Sequence, residues 1–302
     1  MDYRTLGRSH LRVSAIGMGG ATFGREIDEP AAFAVLDRAL ARGITLFDTA
    51  EAYSAGKSEA ILGRWVASRG VRNQIVLATK VAPALGGARV IAAAEASLRR
   101  LQVDTIDLFQ LHSWDAGTPL EETLAALDTL VRAGKARYIG CSNFAAWQLC
   151  KALWRQDVAG AARLECVQPV YNLAKREIEG ELLPLCADQQ LGVITYSPLG
   201  AGFLTGKYHQ HGPVPHGTRF AIVPGHQAIY FNDAAFQAME RLRACAAEID
   251  IPMAQLGLAW VLSRPGITTT LIGARDVSQV DQAFEAAALA RSEALRAAIE
   301  LL

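Results

Sequence analysis

The chain has 302 residues, 51% of them hydrophobic and 20% charged, which supplies a sizeable core and excludes a disordered polymer. Lys plus Arg equals Asp plus Glu at 30 each, so no general field draws the protein to nucleic acid or to an anionic membrane surface. No apolar run approaches the ~20 residues of a bilayer span, and the start, Met1 to Gly7, lacks the layout of a signal peptide; a cytoplasmic protein is expected.

From Tyr3 to Val13, with Gly7-Arg8-Ser9 at its middle, the sequence predicts a hairpin able to plug the N-terminal end of a barrel. Short apolar runs then alternate with amphipathic helical stretches, the pattern of a parallel sheet with crossover helices. The predicted strands are Ala15–Met18, Thr45–Phe47, Ile75–Ala78, Ile106–Leu111, Tyr138–Cys141, Leu164–Gln168, Gly192–Tyr196 and Thr268–Ile272. They are almost continuously apolar, as strands covered by helices are. Eight repeats without a linker favour one α/β domain over residues 1–302, closed as a (β/α)8 TIM barrel.

Pro30 sits at the start of a helix that carries Phe33, Leu36 and Leu40 on one face and ends at Gly43. Ser58 is expected to cap the next, which bears Ile61, Leu62, Trp65 and Val66 and stops near Gly70. Leu124, Leu127, Leu130 and Val131 stripe a later helix that ends at Gly134. The five cysteines, Cys141, Cys150, Cys166, Cys186 and Cys245, are widely spaced among apolar residues and read as reduced core thiols. No Cys/His cluster points to a metal. The segment from Pro198 to Asp233, rich in Gly, Pro and His, is too long for a simple connection and reads as a functional or disordered loop. No heptad or interface stripe indicates an oligomeric state.

In a barrel of this kind the chemistry lies at the C-terminal ends of the strands. Asp48 ends the second predicted strand, Tyr53 follows it, Lys80 ends the third and His112 the fourth. Each has an ordinary structural use: a helix cap, packing, a solvated charge, a core histidine. Their joint placement on neighbouring strands favours a shared site. The chemistry is consistent, because a tyrosine hydroxyl is a weak acid at its reference pKa of about 10 and a nearby ammonium favours its ionised form. Lys80 can supply that charge, Asp48 can keep Lys80 charged, and a neutral His112 can orient a carbonyl.

At these residues the chain resembles the aldo-keto reductases, whose catalytic tetrad is Asp, Tyr, Lys and His in this order. The match runs through Phe47 to Tyr53, Lys80, Leu111-His112, Gly140-Cys141-Ser142-Asn143-Phe144, Gln168 to Asn172, Ser197-Pro198-Leu199 through Gly206-Lys207-Tyr208, and Ile272-Gly273-Ala274-Arg275. The resemblance implies NADPH as hydride donor, an aldehyde or ketone as the small-molecule substrate, and no metal. It also reaches the potassium-channel β-subunits, which leaves a redox sensor with little turnover, or a sugar or alcohol dehydrogenase, as alternatives.

The resemblance further implies that Ser142, Asn143 and Gln168 hold the nicotinamide amide and that Tyr196 stacks on its ring. Gly19, Gly20 and Asp48 flank the same site, and Ser197, Pro198, Leu199, Gly202, Lys207 and Arg219 belong to the loop that clasps the pyrophosphate. Gly273, Arg275, Gln279 and Gln282 match the adenosine-binding stretch, although Gln282-Ala283 stands where the family often has Glu-Asn. No GxGxxG follows a strand, and Gly17-Met18-Gly19-Gly20 is not one, which counts against a classical dehydrogenase. Phe23, Trp114, Tyr171 and Tyr230 are candidates to line the substrate pocket, with core packing an equal use for at least one of them.

Overall fold

The alternation of strand and helix closes on itself in the computed structural model, which describes residues 1–300 and 302. A hairpin of β1 (Tyr3–Thr5) and β2 (Arg12–Ser14) comes first. Eight strands then follow: β3 (Ile16–Gly19), β4 (Leu46–Asp48), β5 (Val76–Val81), β6 (Ile106–Leu111), β7 (Ala136–Ser142), β8 (Leu164–Gln168), β9 (Gly192–Thr195) and β10 (Thr269–Ile272). They form a closed parallel barrel in the order β10-β3-β4-β5-β6-β7-β8-β9, with helices between them, which is the expected (β/α)8 architecture. Strand ends differ from the predicted ones by a residue or a few. The largest shift is in β5, which runs on through Lys80 to Val81.

Successive side chains on a strand point to opposite faces, and this period places the site. Phe47, Leu77, Phe109, Leu111 and Val167 pack outward in the main core. Leu46, Val76, Ala78, Leu108, Cys166, Ile194 and Leu271 form a separate cluster inside the barrel. Continuing each inward row by one step gives Asp48, Lys80, Gln110 and Gln168. The rows that fill the lower barrel with methyl groups therefore deliver polar side chains to its top.

The hairpin closes the lower end as expected, since Leu6, Leu11 and Val13 are buried in that inner cluster. Gly7 makes the approach possible: its φ is +59°, and a Cβ there would lie 2.3 Å from the Glu165 carbonyl oxygen. The first helix, α1 (Glu29–Ala41), begins at its cap Asp28 with Pro30 in the first turn. The second, α2 (Lys57–Arg69), departs from expectation. Ser58 lies inside its first turn and is no cap, because its buried hydroxyl donates to the Gly20 carbonyl (2.7 Å) and bonds to Thr49 (2.8 Å). The third helix, α3, spans Gly87–Leu101.

The long segment after β9 packs on itself. It folds into short helical turns around its own aromatic cluster, with Tyr208 and Phe220 stacked at 4.4 Å and Phe203 and Tyr230 at 5.5 Å. Cys141, Cys166 and Cys186 are buried thiols as expected, with pKa raised by burial, but Cys150 is exposed. Its outward position on the helix Ala146–Ala159 was hidden by its apolar neighbours. No single helix among the described residues is long and apolar enough to cross a membrane.

Candidate active site

Neighbouring strands set the central pair. Asp48 ends β4 and Lys80 lies on adjacent β5, both facing inward, and the ammonium is paired with Asp48 Oδ1 in a contact that is almost fully buried. Lys80 Nζ also donates to the Thr49 carbonyl (2.9 Å) and to Tyr53 Oη (3.5 Å), so its three donors are used. Tyr53 is carried back over the pair by the Thr49–Tyr53 turn, which stays pinned to β5 through Thr49 N to Ala78 O (2.9 Å) and Glu51 N to Lys80 O (3.1 Å). His112 follows β6, and its ring meets Tyr53 edge-on at 5.7 Å. The four residues expected to meet do so.

Electrostatics assign their charge states. Burial works to lower the Lys80 pKa, but the charge of Asp48 and the hydrogen bonds that Lys80 gives to Asp48 and Tyr53 outweigh it, and the ammonium is held above its ordinary value. His112 is pushed down to about 4, first by burial and then by the Lys80 charge, so it is neutral at neutral pH.

Gln110 is the member that sequence reasoning missed. Its Nε2 donates to Asp48 Oδ2 (3.2 Å), and Gln168 Nε2 donates to the same oxygen (3.0 Å). The carboxylate is thus saturated, as a buried charge requires. The signal was available, because Gln110 is the one polar residue inside Leu108-Phe109-Gln110-Leu111 and stands two positions before His112.

The expected nicotinamide residues adjoin this centre. Ser142 and Gln168 are register partners on β7 and β8, and Ser142 Oγ donates to the Gln168 carbonyl (2.6 Å). Asn143, held at φ 57°, donates to the His112 carbonyl (2.9 Å) and accepts from the Tyr196 hydroxyl (2.8 Å). Gly20 lies against Ser58, where a Cβ would stand 2.7 Å from Oγ, and Gly19 is beside it at the end of β3. Ser197 and Gly202 adopt left-handed conformations in the following loop, with Pro198 buried and Leu199 half-buried.

The cations divide. Lys207 Nζ lies over Gly202, within 3.1 Å of where a Cβ would be, and its pKa is lowered by burial and then by Arg275. Neither Lys207 nor Arg275 has a carboxylate partner among the described residues; Arg275 reaches the Gly217 carbonyl at 3.3 Å. Two neighbouring like charges, neither of them in an ion pair among the described residues, fit a bound phosphate, although Asp276 also lies within reach of the Arg275 charge. Gln279 receives the Arg275 amide (3.0 Å) at the start of the helix Val277–Leu289, whose N-terminus adds to that field, and Gly273 borders open space. Arg219 does not join them. It is paired with Glu26, which also binds Arg25. Gln282 is exposed on the helix.

The expected pocket aromatics fare differently. Phe23, Tyr171 and Tyr230 are at most 2% exposed and belong to the core, leaving Trp114 half-buried near the rim against Phe144. Their spacing offered no means of separating packing from lining.

Comparison with known proteins identifies the family. The model of the aldo/keto reductase family matches residues 15–300. An uncharacterised oxidoreductase of Bacillus subtilis, YrpG, is 38% identical over 304 aligned residues, covering 95% of this chain and 91% of that one. A probable voltage-gated potassium channel subunit beta of Arabidopsis thaliana is 34% identical, with the same coverage. The aldo-keto reductase YhdN of Bacillus subtilis is 33% identical, covering 94% of this chain and 88% of its own. The chain belongs to the aldo/keto reductase family and is an oxidoreductase.

Proposed function

We propose that the protein reduces an aldehyde or ketone to the alcohol with NADPH, with Tyr53 as general acid. The observation that carries this reading is the buried Lys80 ammonium, paired with Asp48 and 3.5 Å from Tyr53 Oη. The hydride for the carbonyl carbon would come from NADPH when it is bound. Tyr53 gives its proton to the carbonyl oxygen, and the phenolate left behind is stabilised by Lys80. Asp48 keeps Lys80 charged, while Gln110 and Gln168 donate to the far oxygen of Asp48 and fix its orientation. Neutral His112 faces Tyr53 and orients the carbonyl between the two.

Ser142, Asn143, Gln168 and Tyr196 hold the nicotinamide in this reading, and Lys207 and Arg275 hold the 2′-phosphate. The substrate is a small-molecule carbonyl compound. Run backwards, the same site oxidises an alcohol or sugar with NADP. A second reading, a nucleotide-bound redox sensor, is favoured by the relatives named as potassium channel beta subunits. Steady-state NADPH oxidation with sugars, aromatic aldehydes, methylglyoxal and ketosteroids tests the choice. Turnover of at least one carbonyl at roughly 1 s⁻¹ or faster is expected; tight NADPH binding with no turnover across the panel supports the sensor instead.

A further inference from the structure

Glu59 is a buried charge that the proton path does not use. Its side chain is 0% exposed, and both oxygens are engaged: Oε1 accepts from the Thr79 hydroxyl (2.6 Å) and Oε2 from Arg100 Nε (2.6 Å). A buried ion pair is weak evidence for stability, since apolar packing of similar volume commonly serves as well. Its location is more informative. Thr79 and Lys80 are consecutive on β5 and face opposite sides, so one strand holds Tyr53 from inside the barrel and Glu59 from outside.

Tyr53 and Glu59 are joined by a strained turn. Ser54 (φ 50°), Ala55 (φ 52°) and Gly56 (φ 84°) are three consecutive left-handed residues, two of them with side chains that disfavour the conformation. Such a turn persists only where its surroundings over-determine it. Its near end is tied to β5 by the backbone of Thr49 and Glu51, and its far end by Ser58 on Gly20 and Thr49 and by Glu59 on Thr79 and Arg100. The path of Arg100 is built for this reach. It passes Gly56, where a Cβ would stand 2.8 Å from its side chain, and α2 touches the end of α3 at Gly63, where a Cβ would lie 2.5 Å from the Arg100 carbonyl oxygen.

We infer that Glu59 is a positioning residue for Tyr53: clamped between Thr79 and Arg100, it fixes the start of α2 and so sets the phenol against Lys80. This rests on the proposed roles of Tyr53 and Lys80. Loss of the clamp lets the turn relax, and a misplacement of about 1 Å in a reacting group can cost about 100-fold in rate.

The test compares Glu59→Ala and the milder Arg100→Met with wild type, as full chains saturated with NADPH. Hydrogen exchange of the peptide spanning Tyr53 is read beside kcat, the solvent deuterium isotope effect and NADPH affinity. Expected are faster exchange confined to that peptide, kcat lowered about 10–100-fold, a larger solvent isotope effect and nucleotide affinity within about twofold. Unchanged exchange at Tyr53, or an increase spread evenly over the barrel, overturns the inference. If wild type reduces no carbonyl, the proposed activity fails and the exchange result still decides the clamp. Should Tyr53→Phe lose turnover while a folded Glu59→Ala keeps wild-type kcat and isotope effect, the clamp is wrong and the proposed acid stands.

Discussion

His112 is the residue whose behaviour the environment fixes most clearly. Its folded pKa of about 4 lies below the ordinary 6.5, so between these values the unfolded chain binds a proton that the folded protein refuses. Stability therefore falls as pH drops from about 6.5 toward 4, with no contribution from His112 above that window. Urea denaturation of His112→Asn should show a flatter loss of stability than wild type between pH 6.5 and 4.5. Parallel curves would place the imidazole in contact with water. The same neutrality suits a group that orients a carbonyl over one that protonates it.

Elements were legible where hydrophobic periodicity alone decides, and less so where a polar side chain had two uses. Eight apolar runs predicted the eight barrel strands, and the polar residues at their upper ends predicted the rim. Ser58 looked like a cap because it precedes an apolar stripe, yet Gly20 and Thr49 compete for its hydroxyl in three dimensions. Gln110 escaped because its partner, Asp48, is 62 residues away. Arg219 was expected with Lys207 in the loop that clasps the pyrophosphate; it is paired with Glu26, a partner 193 residues away that sequence spacing does not reveal.

The hairpin plug is the element whose fit is tightest, and it stands at the opposite end of the barrel from Tyr53. Gly7→Ala places a methyl group against the Glu165 carbonyl at a positive φ, a backbone effect that costs more than the ~1 kcal/mol of a favourable Gly-to-Ala exchange. A lower Tm with kcat close to wild type at low temperature is expected from thermal melts and rates. A kcat that falls in step with Tm would mean that the plug communicates with the rim.

At the scale of the whole molecule, net charge is zero, so nucleotide choice depends on local cations. Arg275 lies close enough to add to burial in lowering the Lys207 pKa, and neither cation has an ion-pair partner among the described residues. Charge-assisted bonds of roughly 1.5–3 kcal/mol to a 2′-phosphate correspond to at least a tenfold preference for NADPH over NADH. Arg275→Ala should weaken NADPH while leaving NADH nearly unchanged, and added salt should erode the preference. Fluorescence titration of both nucleotides checks this, and equal losses for the two would remove Arg275 from the phosphate site.

The central claim is that Tyr53 donates the proton from a site that Lys80 and Asp48 prepare. Tyr53→Phe deletes one oxygen atom and leaves the buried pair and the nucleotide residues in place. Single-turnover reduction of the best carbonyl, measured beside NADPH affinity, tests it most directly. The account predicts a rate lowered about 10²–10⁴-fold with affinity within about twofold. A variant that binds NADPH normally and reduces the carbonyl at nearly the wild-type rate would contradict it.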